Sequence, residues 1–379
     1  MKSTNCIILM ALMLLSASCI RKEPLNAECD IISASLPGDV LNREPIITND
    51  KVTFIVKNGT DIAALAPTFE LTPGAVINPP SGTMLDFRTP QTYVVTSEDR
   101  QWQKSYTVEV QMNNAINLTY DFENVRVVNG KSILSPYSYD VFYEMSQSGH
   151  ETLTWASGNA GFALTGLGST PSTFPTFQTD GGVTGKCAAM ITKSTGAFGS
   201  MANKPMAAGS LFIGKFDVTN AMARPLEATM FGTPFYNVPR TLKGFYKYTP
   251  GPVYYQADGG KLVPVEGKTD KFNIYAVFFE AVTGMEMLNG TNALDPDNPN
   301  VIAVAEIPDA DRVAAADWKA FSIPFVFRPG KTVDAEKLQN GAYSITIVFS
   351  SSTDGDFFSG AIDSQLLIDQ VSLECYSAQ

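Results

Sequence analysis

Carboxylates and aromatic rings are the groups in this chain that can do chemistry, because little else is available. One histidine, His150, stands among 379 residues, and no HExxH, GxSxG or two-histidine metal spacing occurs. That removes most nucleophile–base pairs. Cleaving a glycosidic bond needs only two carboxylates, an acid and a base or nucleophile, ~5 to 9.5 Å apart, and 38 acidic residues admit such a pair. Glu280 closes the apolar run Ile274-Tyr275-Ala276-Val277-Phe278-Phe279 and is one candidate. Asp354, Asp356 and Asp363 in a late Ser/Gly-rich loop are others, with surface solvation as the alternative for each.

Binding a sugar needs rings against the apolar face of a pyranose and polar groups around them for the hydroxyls. Leu242-Lys243-Gly244-Phe245-Tyr246-Lys247-Tyr248 has that composition. Period two puts Leu242, Tyr246 and Tyr248 on one face and Phe245 and Lys247 on the other. Trp155, and Trp318 between Asp317 and Lys319, are further ring platforms. A core position is the alternative for each ring. The candidate binding residues are Trp155, Phe245, Lys247, Trp318, Asp356 and Asp363, the two aspartates coming from the loop Ser350–Ser364, which suits a pocket rim. Gly181-Gly182-Val183-Thr184-Gly185-Lys186-Cys187 has three residues, not four, between its outer glycines and Cys where a phosphate loop needs Ser or Thr, so it reads as a turn entering a strand. Asp295-Pro296-Asp297-Asn298-Pro299-Asn300 lacks the glycine and distal glutamate of a helix-flanked calcium loop and reads as a solvated turn.

The elements that position these residues are strands. Apolar residues alternate with period two between Gly, Pro, Asn and Asp punctuation, the signature of an all-β chain. Helices are expected only at 310–316 and at 335–340, the second capped by Asp334. Strands are expected at 186–192, 210–216, 241–249, 271–280, 300–307, 318–327, 342–350 and 365–375. In the last of these, Leu366 and Ile368 share one parity and Val371 and Leu373 the other, so the phase slips near Asp369-Gln370 and a β-bulge is required. With the acidic opening strand Leu118-Thr119-Tyr120-Asp121-Phe122-Glu123, this closing strand resembles the bracket of jelly-roll carbohydrate-binding modules. The resemblance implies a structural calcium at Glu123 and Asp369, with Asp121 as a lesser option and simple bulge-capping or pairing of Asp369 as the alternative. No other cofactor is implied.

Lys2, the apolar run Ile7 to Leu15 and Ser16-Ala17-Ser18 before Cys19 read as a secretory signal over 1–18 with lipidation at Cys19. The run is shorter than the roughly 20 residues a spanning helix needs. Net charge is −11, and losing residues 1–18 removes only Lys2 from the charged set. An acidic chain lacks the basic footprint that nucleic acid requires, and its contact with a membrane is expected through the lipid alone. Cys29, Cys187 and Cys375 remain, too few for a disulfide framework. Three buried free thiols are expected, with a Cys187–Cys375 bridge as the alternative.

The organisation is a tether at 19–27, a sandwich at 28–112, a linker at 113–117 and a large β domain at 118–379. The stretches Leu65 to Ala75, Ser81-Gly82-Thr83, Tyr93 to Asp99 and Tyr106-Thr107-Val108 closely resemble the immunoglobulin-like repeats of Bacteroidetes surface lipoproteins, which act as spacers. Trp155-Ala156-Ser157-Gly158-Asn159, Phe174-Pro175-Thr176, Ala208 to Gly214, Gly244 to Tyr248 and the late Ser/Asp/Gly loop resemble the Bacteroidetes putative carbohydrate metabolism domain. The resemblance implies an immunoglobulin-like sandwich followed by a jelly roll, here expected to bind an oligo- or polysaccharide on an outer-membrane lipoprotein of the cell envelope, beside other glycan-utilisation surface proteins. A glycoside hydrolase or lyase, and a structural or adhesive protein without a sugar site, are the competing readings.

Overall fold

The computed structural model describes residues 24–41, 44–56, 60–112, 116–130, 136–145, 151–339 and 341–376. Residues 1–18, read above as a signal, together with Cys19, His150 and most of the 113–117 linker lie outside them. The chain divides into two compact units, Met1–Met112 and Asn113–Gln379. It is all-β, an immunoglobulin-like sandwich followed by a larger jelly roll.

In the first unit, five strands run in the spatial order Ile46–Ile47, Lys51–Val56, Gln103–Met112, Gln91–Thr96 and Val76–Asn78. A two-stranded sheet of Ile31–Ser35 and Thr68–Leu71 faces the same core. The alternation read from sequence sets the packing: Val52 lies opposite Val108 and Phe54 opposite Val110 in parallel register, and all four join Tyr93 and Tyr106 in the core.

The second unit has two main sheets. The larger runs Val125–Asn129, Ser138–Met145, Glu151–Ser157, Ser210–Phe216, Tyr343–Ser350, Asn273–Glu280, Val301–Glu306 and Val326–Phe327 in space. The smaller runs Thr176–Asp180, Lys186–Ile191, Gln365–Cys375, Pro239–Thr249 and Ala315–Pro324, with Thr119–Tyr120 paired to Gln365–Cys375. The main core fills the space between them. A second apolar cluster, including Phe212, Tyr275, Val277 and Phe279, covers part of the large sheet's far side. Strands 273–280 and 343–350 are therefore buried on both faces; the first is a continuous apolar run from Ile274 to Phe279 for that reason, and the second buries Ser344 and Thr346 among its apolar residues.

The phase slip in the closing strand is a bulge. Lys243 pairs with Ser372 but Phe245 with Asp369, so two residues of one strand face three of the other. Gln370 takes the left-handed conformation, φ 50°. Leu366, Ile368, Val371 and Leu373 all reach the core as a result. The helix expected at 310–316 does not form: one 3-10 turn, Asp309–Asp311, leads into the strand Ala315–Pro324. Pairing with 239–249 outweighs the alanines' helical preference. The helix Ala335–Gln339 does form, with Asp334 accepting from the Lys337 amide at 2.9 Å. Cys29, Cys187 and Cys375 are all free thiols, of which only Cys187 is buried.

Candidate functional site

The sequence-derived site residues do not converge on one place. Trp155 is a core residue, 2% exposed, and this corrects its reading as a sugar platform. Strand 151–157 turns Leu153 and Trp155 inward and Thr152, Thr154 and Ala156 outward. The indole packs on Tyr120 (5.1 Å between centroids) and Phe122 (5.5 Å), and its N–H donates to Glu144 at 2.9 Å. Burial pushes the Glu144 carboxyl up to about 7.

Phe245, Lys247 and Trp318 do come together, on the outer face of the smaller sheet, as the parity of 239–249 requires. The Lys247 ammonium lies 5.1 Å from the Trp318 ring centroid. Beside them, however, the 181–185 connection is strapped down. Trp318 donates its indole N–H to the Gly181 carbonyl at 3.2 Å. Asp369, fully buried, accepts from the amides of Val183 (2.6 Å), Thr184 (3.3 Å) and Gln370 (2.7 Å). Glu123 accepts from the Lys186 amide at 2.8 Å. Gly185 has φ +64° and a Cβ there would meet a Glu123 oxygen at 2.0 Å, so only glycine fits. Desolvation, opposed by these three donors, raises the Asp369 pKa.

This arrangement does not suit the calcium implied for Glu123 and Asp369. Calcium takes oxygen ligands, whereas both Asp369 oxygens are met by N–H donors. Among the described residues no cluster of three metal-ligating side chains converges. The two carboxylates clasp a hairpin.

Asp356 lies elsewhere, in a cavity of about 920 Å³, counting solvent at its mouth. Phe162, Phe198, Phe216 and Phe358 supply rings, Met206, Met222 and Leu226 further apolar surface, and Thr165, Thr195, Ser210 and Thr229 hydroxyl groups. The late loop forms one wall through Ser350, Gly355, Asp356 and Phe358. Phe358 takes φ 55°, a strained conformation for a ring-bearing residue. The Lys204 ammonium lies 5.7 Å from its ring centroid and donates to the carbonyls of Ala202 (3.1 Å) and Met222 (2.9 Å). Asp356 is accessible but surrounded by protein, and desolvation alone pushes its carboxyl up to about 6. No hydrogen bond or ion pair reaches it among the described residues.

A buried aspartate holds this loop. Asp270, 2% exposed, accepts from Ser352 Oγ (2.6 Å), Ser364 Oγ (2.7 Å) and the amides of Ala361 (2.8 Å) and Lys271 (2.9 Å). Thr192 adds hydroxyl contacts to Ser351 (2.8 Å) and Ser352 (2.6 Å). Tyr254 and Lys268 bind Asp354, the lysine at 2.9 Å. Asp363 is not in the cavity; it sits in the turn before the closing strand, its amide donating to the Thr192 carbonyl at 2.9 Å. Glu280 is on the surface, paired with Lys337 at 2.6 Å.

Sequence reasoning placed the loop and Asp356 at a pocket but missed Phe162, Phe198, Phe216, Lys204 and Asp270. Phe162, Phe198, Lys204 and Asp270 come from separate loops and short helices, where no periodicity marks a shared direction, and Phe216 ends the strand Ser210–Phe216.

A two-unit all-β protein whose jelly roll carries a loop-built, ring-lined cavity is the class these features define. The chain belongs to the putative carbohydrate metabolism domain family, whose model matches residues 121–374. Residues 31–110 match a second family, SGBP, N-terminal. Two solved Bacteroides proteins described as putative glycoside hydrolases are similar to it. One, from Bacteroides thetaiotaomicron, is 47% identical over 94% of this chain and 100% of its own, with TM-score 0.67. The other, from Bacteroides vulgatus, is 42% identical over 70% of this chain and 100% of its own, with TM-score 0.64. Comparison with curated proteins gives no match. The chain's function is carbohydrate-related.

Proposed function

We propose that this protein is a cell-envelope lipoprotein that binds a carbohydrate in the Asp356 cavity of its jelly roll and serves glycan capture. One observation carries the reading. An accessible carboxylate without a protein partner among the described residues stands among phenyl rings and hydroxyls, the combination that grips a neutral sugar by its apolar face and its hydroxyl groups. Lipidation at Cys19 rests on the small residues before it, and anchors the chain at the outer membrane; incorporation of a labelled fatty acid that Cys19→Ala abolishes tests it.

Binding is favoured over hydrolysis because Asp356 is the one carboxylate among the cavity-lining residues. The other carboxyl with a strongly raised pKa, Glu144, is held by Trp155 in the core. A glycosidase needs both across one space. A glycan array with wild type and Phe198→Ala tests the proposal. Phe198 is 41% exposed, so its loss leaves the core intact. The expected outcome is selective binding by wild type that falls about tenfold in the variant, on the order of a lost ring contact. A folded wild type that binds nothing overturns it in favour of an adhesive or scaffold role, and new reducing ends overturn it in favour of catalysis. Trp155→Ala is unsuitable here, because it tests folding.

A further inference from the structure

We infer that the cavity takes the end of a carbohydrate chain, and that the following sugar residues lie along a groove on the outer face of the larger sheet. This rests on the carbohydrate reading above and specifies the ligand's class as an oligosaccharide rather than a single sugar.

The groove is a second open space, of about 1090 Å³ counting solvent at its mouth. It lies over strands 138–145, 151–157 and 210–216. Phe216 forms a wall of both spaces. The turn after strand 151–157 runs between them, with Ser157 and Ala160 on the groove and Gly158 and Gly161 on the cavity. That partition is thin. A Cβ on Gly161 would come within 3.0 Å of the Phe216 ring, so ring and backbone are in direct contact with no side chain between. The cavity and the groove lie side by side along that partition, so a ligand longer than one sugar ring can reach both.

The groove's chemistry selects a neutral, polyhydroxylated ligand. Thr152, Thr154, Ser157 and Thr233 bring hydroxyls, and Lys215 is the only charged residue among those lining it. Tyr139 supplies a half-buried ring, packed at 5.2 Å from Phe174 and stacked at 6.1 Å on Tyr137. An anionic ligand would need more than one lysine.

Calorimetric titration of the full chain tests this, with the array-selected glycan at lengths from one to several residues and melting curves confirming that each variant folds. Wild-type affinity is expected to rise at least about tenfold from monosaccharide to trisaccharide. Tyr139→Ala, and Ala160→Trp, which fills the groove without removing a ring, are expected to erase that length dependence and leave monosaccharide binding unchanged. Equal wild-type affinity for all lengths, or unaltered length dependence in both variants, overturns the inference while the cavity reading stands. Absence of binding at every length by folded wild type overturns both.

Discussion

On the outer face of the smaller sheet, Asp369 is buried, desolvated and surrounded by three amide donors. In the loop-built cavity, Asp356 is accessible yet desolvated, and no donor reaches it among the described residues. Both carboxyls are pushed above the ordinary range by the same loss of water. They differ in what replaces the water. The first has spent its acceptor capacity on holding a hairpin closed, so its role is structural. The second keeps that capacity for something outside the protein. Perturbed acidity alone therefore marks burial, and an unused lone pair in an accessible space is what marks a site.

The largest expected effect comes from breaking the first half of that comparison. Asp369→Ala leaves the amides of Val183, Thr184 and Gln370 without an acceptor. A buried donor left unsatisfied costs about 1–3 kcal/mol; these three bonds are part-buried and share one partner, so the costs are partial and overlap. A loss of about 3 kcal/mol in the urea unfolding of the jelly roll is expected. A loss below about 0.5 kcal/mol, within the range of ordinary surface changes, would show that the hairpin does not depend on the clasp.

Asp356→Asn addresses the second half and should hardly disturb folding. The Asp356 pKa in the folded chain is about 6 against an ordinary 3.8. It thus contributes stability that is fully present below about 3.8 and lost as pH rises through about 6. The wild-type melting temperature should therefore fall relative to Asp356→Asn across that window. Ligand affinity should move the opposite way, strengthening as the carboxylate forms and accepts sugar hydroxyls. Hydrogen bonds to charged groups contribute about 1.5–3 kcal/mol, so the variant should bind about tenfold or more weakly above pH 7 and lose the pH dependence. A flat wild-type affinity from pH 5 to 8 would mean the ligand does not touch Asp356.

The two regions also differ in how far they can be read from sequence. The parity of Leu242, Tyr246 and Tyr248 against Phe245 and Lys247 gave both faces of that strand correctly, and the parity change after Ile368 placed the bulge near Asp369-Gln370. Such inferences work because a strand repeats every two residues and one face must be apolar. Trp155 shows their limit: the same rule puts it inward with Leu153, yet it also reads as a ring platform. The cavity was legible only through the late loop. Its phenyl rings arrive from positions as distant as Phe162 and Phe358, and the buried Asp270 that fixes the loop stands in a turn before the strand Asn273–Glu280. Contacts of that kind depend on how connections fold back, which carries no period.

The smallest expected effect is the one that could reverse the comparison. Trp318→Phe removes the hydrogen bond to the Gly181 carbonyl and keeps a ring beneath Lys247. The indole is partly exposed, so the lost bond should cost about 0.5–1.5 kcal/mol at most. Asp369 still holds the amides of Val183 and Thr184, and their hydrogen-exchange protection should stay close to wild type. Glycan affinity should also be unchanged, because the strapped face and the cavity are built from different residues. A tenfold loss of affinity in Trp318→Phe, with Asp356→Asn binding normally, would place the sugar against Phe245, Lys247 and Trp318. The hairpin would then have to lift from Asp369 to admit it, and faster exchange at Val183 and Thr184 would accompany the loss.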